Sequence, residues 1–209
     1  MAISISYNSV VGSDAIRDVL SDWSVGFKTA GHGTGNTGGF NTGGRTMTGE
    51  QYAAHGANKS DYAFIVGSDT DNGLNYVFSP RVPSGDNMNH YLWGELDNVT
   101  LGTGLSGGKG SDFGLDDYIA SFNGLDLSAA SNAGRANNEV QDVIYGLMKG
   151  DVSGLEGVLN NLLGEFGLST DSTFDELAAA GLAQAYAPEA ADIGLVGIQD
   201  ATQDWAMAA

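Results

Sequence analysis

The sequence contains no cysteine, and positively charged residues are scarce. The absence of cysteine excludes disulfide bonds, thiolate nucleophiles, zinc fingers and iron–sulfur clusters together. Only 8 lysine and arginine residues stand against 26 acidic ones, which gives a formal net charge of −18. A chain this acidic repels phosphate backbones and anionic lipid surfaces, which disfavours nucleic acid and such membranes as partners.

Long apolar segments are also absent. No run of apolar residues has the length of a transmembrane helix, and the N-terminus lacks the basic and apolar regions of a secretory signal peptide. Instead, Ile3, Ile5 and Tyr7 alternate with serines, which predicts a strand. The 209 residues fit one domain with or without a tail. The small, sparsely charged residues after Pro188 are by composition typical of a frayed terminus.

Motifs of common enzymes are missing as well. There is no nucleophile elbow, zincin helix or phosphate-binding loop, and the histidines are His32, His55 and His90 alone. Residues 102–107 match a dinucleotide-binding pattern, but no helix is predicted after them, which favours a turn. Residues 107–112 match one calcium β-roll repeat; a single repeat cannot stack a ligand cage, so a plain loop is favoured over a calcium site.

The apolar patterns that are present predict an α+β fold. An amphipathic helix is predicted over residues 13–28, followed by a glycine-rich loop over residues 29–50. The predicted strands are Gln51–His55, Tyr62–Val66, Leu74–Phe78, His90–Leu96, Asn98–Leu101 and Tyr118–Asn123. Later helices are predicted over Val140–Met148, Leu155–Leu163 and Phe174–Ala185, the last with a Ser172–Asp175 capping box and ended by Pro188. We expect a curved antiparallel β-sheet with helices packed on one face.

One group of residues could bind a metal. His32 lies in the glycine-rich loop, Tyr76 lies on a predicted strand, and His90 begins the next one. A tyrosine on a half-buried strand is more often a packing residue, and a histidine among glycines is more often solvated. His55 is interpreted as a surface residue. Residue chemistry alone therefore leaves a metal site and ordinary packing both open.

Short runs along nearly the whole chain carry a family resemblance. They are Ile3–Tyr7, Asp22–Trp23, Gly38–Phe40, Thr48–Ala53, Leu92–Asp97, Leu105–Gly108, Val143–Asp151, Ser172–Ala180, Val196–Gln199 and Ala206–Ala209. Together, and in this order, they resemble the HasA family of secreted haemophores. The resemblance implies that the protein is a haem-binding protein and not an enzyme.

The resemblance also assigns site residues. It implies that His32 and Tyr76 hold the iron of haem b, in its ferric state, and that His90 supports Tyr76 through a hydrogen bond. A slot for the porphyrin would be formed by Phe40, Phe78, Leu92, Tyr145 and Met148, and Arg135 could meet a haem propionate. The separation of Tyr76 and His90 is larger than in the family pattern, and a hairpin loop over residues 80–87 can absorb this excess in its tip.

Finally, the resemblance implies partners and a location. The protein would take haem from host haemoproteins outside a Gram-negative cell and deliver it to a TonB-dependent outer-membrane receptor. That receptor would contact exposed strand edges near Gln51–Lys59 and Asn98–Gly107. Export would use an ABC transporter of the type I pathway, so that residues 1–187 form the haem-binding domain and residues 188–209 form a flexible secretion signal, trimmed after export.

A second hypothesis is a calcium-binding type I secreted hydrolase or adhesin with a degenerate β-roll repeat. That class would need several copies of the repeat, whereas this chain has one.

Overall fold

A computed structural model describes residues 3–27, 38–43, 47–57, 60–71 and 73–186. Its strands are β1 (Ser4–Asn8), β2 (Gly39–Phe40), β3 (Thr48–Gly49), β4 (Gln51–His55), β5 (Tyr62–Gly67), β6 (Leu74–Val77), β7 (Tyr91–Gly107), β8 (Phe113–Ala129) and β9 (Ala183–Tyr186). Its α-helices are α1 (Ile16–Phe27), α2 (Glu139–Met148), α3 (Ser153–Gly164) and α4 (Phe174–Ala179).

The strands form one sheet in the order β2-β4-β5-β7-β8-β1-β9, and β6 pairs with both β3 and β7. Side chains directly opposite one another in neighbouring strands point to the same face of a sheet. One such row of apolar residues crosses six strands: Phe40, Tyr52, Val66, Val99, Phe122 and Ile5. All six belong to a single buried core, so one face of the sheet is apolar.

The helices cover this apolar face. The buried apolar side chains of α1, α2, α3 and α4 all join the same core as the row of strand residues. Helix α1 is also fixed by a polar contact, because the indole Nε1 of Trp23 donates to the carbonyl of Ala63 in β5 at 3.1 Å. The expected α+β architecture with helices packed on one face is therefore confirmed. No helix in the described ranges is long and apolar enough to cross a membrane.

The longest strands form the β7–β8 hairpin, and β7 has two partners on its other side. Residues 98–103 of β7 pair with β5, and residues 91–94 pair with β6. Both partners run antiparallel to β7, so β5 and β6 follow one another along the same edge. The sequence predicted two strands here, but β7 is one strand with an irregularity between Leu96 and Asn98.

The end of the described chain differs from the prediction. Helix α4 ends at Ala179, because Gly181 has a φ of +78° that continues no helix. Residues Ala183–Tyr186 then form β9, which pairs in parallel with β1 and adds one parallel ladder to the otherwise antiparallel sheet. The capping box is formed by Thr173 and Glu176, one residue later than predicted. The predicted stop at Pro188 lies outside the described residues.

The tip of the β7–β8 hairpin contains the single glycine repeat and folds back onto Asn41. The amide of Gly110 donates to the carbonyl of Asn41 at 2.7 Å, and Nδ2 of Asn41 lies 3.4 Å from a carboxylate oxygen of Asp112. Across the part of the chain that the structure describes, no three histidine or acidic side chains are grouped to hold a metal ion. The tip is therefore a packed turn, and the calcium β-roll hypothesis is not favoured.

Candidate functional site

Strands β6 and β7 bring Tyr76 and His90 together. The phenol oxygen of Tyr76 lies 2.7 Å from Nδ1 of His90, so the phenol donates a hydrogen bond when Nδ1 is unprotonated. His90 directly precedes β7 and has a φ of +57°, which is uncommon for a residue other than glycine. The ring of Phe78 lies 4.8 Å from the His90 ring and flanks the pair. The sequence placed His90 inside the strand, whereas it is the left-handed residue just before it.

The environment of Tyr76 keeps its phenol protonated at neutral pH. Burial raises the pKa of Tyr76, the positive charge of Arg135 lowers it, and nearby Tyr145 raises it; the net direction is upward. Tyr76 is half-buried, so part of the residue remains accessible to solvent. An oxygen donor that holds its proton next to a hydrogen-bonded imidazole can bind a metal ion when the imidazole takes up that proton.

Large apolar side chains that are usually buried are exposed around this pair. The exposed fractions are 46% for Phe78, 39% for Tyr145 and 45% for Met47. Met47 adjoins the tyrosine directly, because its carbonyl accepts a hydrogen bond from the Tyr76 amide at 2.8 Å. Single exposed apolar residues are normal on protein surfaces, but a group around polar atoms is typical of a ligand-binding surface. Such a surface suits an apolar ligand, and the phenol and imidazole beside it are groups that can bind a metal ion.

The other predicted porphyrin contacts lie behind this surface. Leu92 is directly opposite Tyr76 in the β6–β7 ladder and is buried. Met148 is buried too, and the hydroxyl of Tyr52 donates to its sulfur at 3.3 Å. Phe40 packs edge-on against Tyr52, with the ring centroids 5.2 Å apart. These three predicted contacts therefore belong to the core, whereas Phe78 and Tyr145 are open to solvent.

Three site residues were missed by the sequence analysis. Met47 and Tyr52 adjoin the site, and burial raises the pKa of Tyr52, with a further upward contribution from Tyr76. Lys149 places its ammonium 4.8 Å from the centre of the Tyr145 ring, which is a cation–π contact. The runs Thr48–Ala53 and Val143–Asp151 contain Tyr52 and Lys149, so the resemblance pointed to their neighbourhood without singling them out.

Arg135 lies beside the site but binds protein atoms. Its Nε donates to the carbonyl of Asn89 at 2.7 Å, and its Nη2 donates to the carbonyl of Ser84. Both acceptors lie in the enlarged loop between Tyr76 and His90. The strand ends on either side of that loop remain paired, with Val77 opposite Tyr91. A contact between Arg135 and a propionate stays a prediction.

His32 lies outside the described residues, so its role as a second iron ligand stays a prediction. His55 is exposed on β4, with Nδ1 2.7 Å from the carbonyl of the next residue. The predicted receptor contacts at Gln51–Lys59 and Asn98–Gly107 stay a prediction. Among the described residues, the outer side of β4 pairs with β2 only at Tyr52 and Ala53, and residues 105–107 of β7 pair only with β8, whereas residues 98–103 lie between β5 and β8.

Comparison with known proteins gives the family. The sequence profile described as Heme-binding protein A (HasA) matches residues 1–209. The chain is also 37% identical over 195 residues to the Hemophore HasA of Serratia marcescens, covering 90% of this chain and 98% of that protein. The chain belongs to the HasA family. HasA proteins are haem-binding carriers and not enzymes.

Solved structures of HasA proteins share the fold. The holo hemophore HasA of Yersinia pestis aligns with a TM-score of 0.69 and 23% identity, covering 90% of this chain and 100% of that one. A hexagonal apo form of the same hemophore aligns with a TM-score of 0.69 and 24% identity, again over 90% and 100% of the two chains.

Proposed function

We propose that this HasA-family protein is an extracellular haemophore that binds haem through Tyr76 and passes it on without chemical change. The observation that carries the proposal is the hydrogen-bonded pair of Tyr76 and His90, surrounded by exposed apolar side chains. Membership of the HasA family supports it, as does the formal charge of −18, which favours solubility at the dilution of an extracellular protein.

The chemistry of the pair suits ferric haem as cargo. A phenolate is a hard, anionic oxygen donor, and such donors favour ferric iron. An imidazole that accepts the phenol proton stabilises the phenolate, so His90 supports binding without contacting the iron itself. Returning that proton to Tyr76 weakens the iron–oxygen bond and provides a route for release. His32 is proposed as the second ligand.

The side chains around the pair would hold the porphyrin. The exposed side chains of Phe78 and Tyr145 would contact it directly, and the buried side chains of Phe40, Leu92 and Met148 would supply the apolar core next to it. The positive charges of Arg135 and Lys149 lie at this same surface, near Tyr76 and Tyr145 respectively. They would favour the carboxylates of the haem propionates in a protein that is otherwise strongly acidic.

The proposal includes partners on both sides of the transfer. Host haemoproteins would donate haem, and a TonB-dependent outer-membrane receptor would receive it. We further propose that an ABC transporter exports the chain by its last residues, 188–209, and that the haem-binding domain ends near residue 187. Strand β9 pairs with β1 through Tyr186, so the described part of the domain extends at least that far.

The test is haem binding followed by visible absorption. When purified protein is titrated with ferric hemin, the free-hemin spectrum should change to that of a tyrosinate-ligated complex. Tyr76→Phe should weaken haem binding by more than about 100-fold, because losing a metal ligand costs more affinity than the 10–100-fold that is typical of losing a residue that supports a ligand. The matched control is Tyr118→Phe, which removes a hydroxyl from β8, where the Tyr118 ring packs at a tilt against the Tyr186 ring with the centroids 4.9 Å apart. An unchanged hemin spectrum would contradict the function, and full affinity in Tyr76→Phe would contradict the ligand.

A further inference from the structure

The loop between Tyr76 and His90 is closed by one buried side chain. Asn89 is 0% exposed, and its Nδ2 donates to the carbonyls of Ser79 at 3.0 Å and Val82 at 2.9 Å. Its Oδ1 accepts the amide of Ser79 at 2.8 Å. Asn89 thus joins the end of the loop to residues near its start, which fixes the backbone around Asn89, and the next residue in the chain is His90.

The same loop is joined to the segment that precedes α2. Oδ1 of Asn87 accepts the amide of Ala136 at 2.9 Å, and the carbonyl of Asn87 accepts the amide of Arg135 at 3.0 Å. The two segments approach so closely at Gly134 that an added Cβ would lie 2.3 Å from Nδ2 of Asn87. The N-cap of α2, Asn138, donates in turn to the carbonyl of Leu92 in β7 at 2.9 Å.

The peptide bond between Asn89 and His90 is held at both of its polar atoms. Its carbonyl accepts Nε of Arg135 at 2.7 Å, and its N–H donates to the carbonyl of Val77 at 3.0 Å. Fixing this peptide plane restricts φ of His90, which is +57°. A residue other than glycine keeps such a conformation only when its surroundings determine it. The guanidinium of Arg135 is the one side-chain donor to this plane among the described residues.

We propose that Arg135 is a positioning residue that holds the imidazole of His90 on the phenol of Tyr76 by fixing the Asn89–His90 peptide. The contribution of Arg135 to haem binding rests on the proposed function, but its positioning of His90 is a property of the protein without haem. The planar guanidinium is required because it donates to the carbonyls of Asn89 and Ser84 together. A lysine keeps the positive charge near Tyr76 but cannot reproduce this planar arrangement of donors.

The first test uses the haem-free protein. Nitrogen-15 NMR of the histidine side chains, recorded at about pH 8 where histidine is neutral, reports which ring nitrogen carries the proton. In the wild type, His90 should show one tautomer, with Nδ1 as acceptor. In Arg135→Lys, the nitrogen-15 signals of His90 should move towards the average of the two tautomers, while those of His55 should stay unchanged. The control Arg81→Lys makes the same substitution within the loop and should leave the His90 signal intact. An unaltered His90 signal in Arg135→Lys would overturn the proposal.

The second test measures haem loss to an excess of apomyoglobin. Arg135→Lys should speed haem loss about 10-fold, as expected for a residue that supports a metal ligand indirectly, and should have no further effect when His90 is already alanine. Equal acceleration in both backgrounds would show that Arg135 acts independently of His90, and would overturn the proposal. A wild type that binds no haem would refute the proposed function instead, and the NMR result would still decide whether Arg135 positions His90.

Discussion

Replacing Gly94 by alanine should destabilise the strand pair that carries Tyr76. Gly94 lies in β7 opposite Leu74, two residues along from the Tyr76–Leu92 pair, and its φ is +114°. A Cβ added to Gly94 would lie 1.8 Å from the carbonyl oxygen of Gly73, far inside van der Waals contact. That same oxygen accepts the amide of Glu95 at 3.0 Å. Relieving the overlap therefore moves the start of β6 away from β7.

Two contributions set the size of this effect. A side chain held in a sparsely populated backbone region costs about 1–3 kcal/mol, and the weakened hydrogen bond from Glu95 adds about 1 kcal/mol. We expect Gly94→Ala to lower the free energy of unfolding by about 2–4 kcal/mol, and to weaken haem binding because β6 is displaced.

The assay is urea unfolding of the haem-free protein, followed by tryptophan fluorescence. The matched control is Gly157→Ala in α3, where an added Cβ meets nothing within 4 Å. Because alanine is the better helix former, this control should gain up to about 1 kcal/mol. A Gly94→Ala protein as stable as the wild type would refute the steric reasoning, whatever the behaviour of the control.

Two further predictions concern stability away from the site. Thr173→Ala removes the side chain that accepts the Glu176 amide in the capping box of α4, and should lower the free energy of unfolding by about 1 kcal/mol in the same assay. Asp97→Asn should stabilise the protein at neutral pH, because burial and the nearby charges of Asp69, Glu95 and Asp126 raise the pKa of Asp97. A raised pKa means that the folded protein binds this proton more tightly than the unfolded chain does. The stability conferred by protonated Asp97 is therefore lost as the pH rises above 3.8, the ordinary pKa of an aspartate. The two proteins should unfold alike near pH 3, and a variant less stable than wild type at pH 7 would contradict the sign.

The fold was predictable where one periodic signal decided it. The alternation in β1, the heptad-like spacing in α1 and the apolar faces of α2 and α3 each reappear in the common core. The prediction was wrong where a single backbone angle decided the structure. Gly181 ends α4 early, and residues 183–186 form β9, although Leu182 and Ala185 continued the apolar spacing of a helix.

Part of the candidate site was likewise predictable from the sequence, and part was not. Tyr76 and His90 follow from the family resemblance, and the antiparallel pairing of β6 with β7 brings their backbones close together. The left-handed conformation of His90 was not predictable, because it depends on Asn89 and on the guanidinium of Arg135, which is 46 residues away in sequence from Asn89. Loop asparagines carry no periodic signal, so a buried one that organises its loop is visible only in three dimensions.

Strand β9 has a consequence for any protease that shortens this chain from its C-terminal end. Each of its residues is paired with β1, and the ring of Tyr186 packs against that of Tyr118. A cut before Ala183 therefore takes away the strand that lies next to β1 at the end of the described sheet, and uncovers the hydrogen-bonding groups of β1. A stable limit product should accordingly retain residues 183–186, and mass spectrometry of that product would show whether it does.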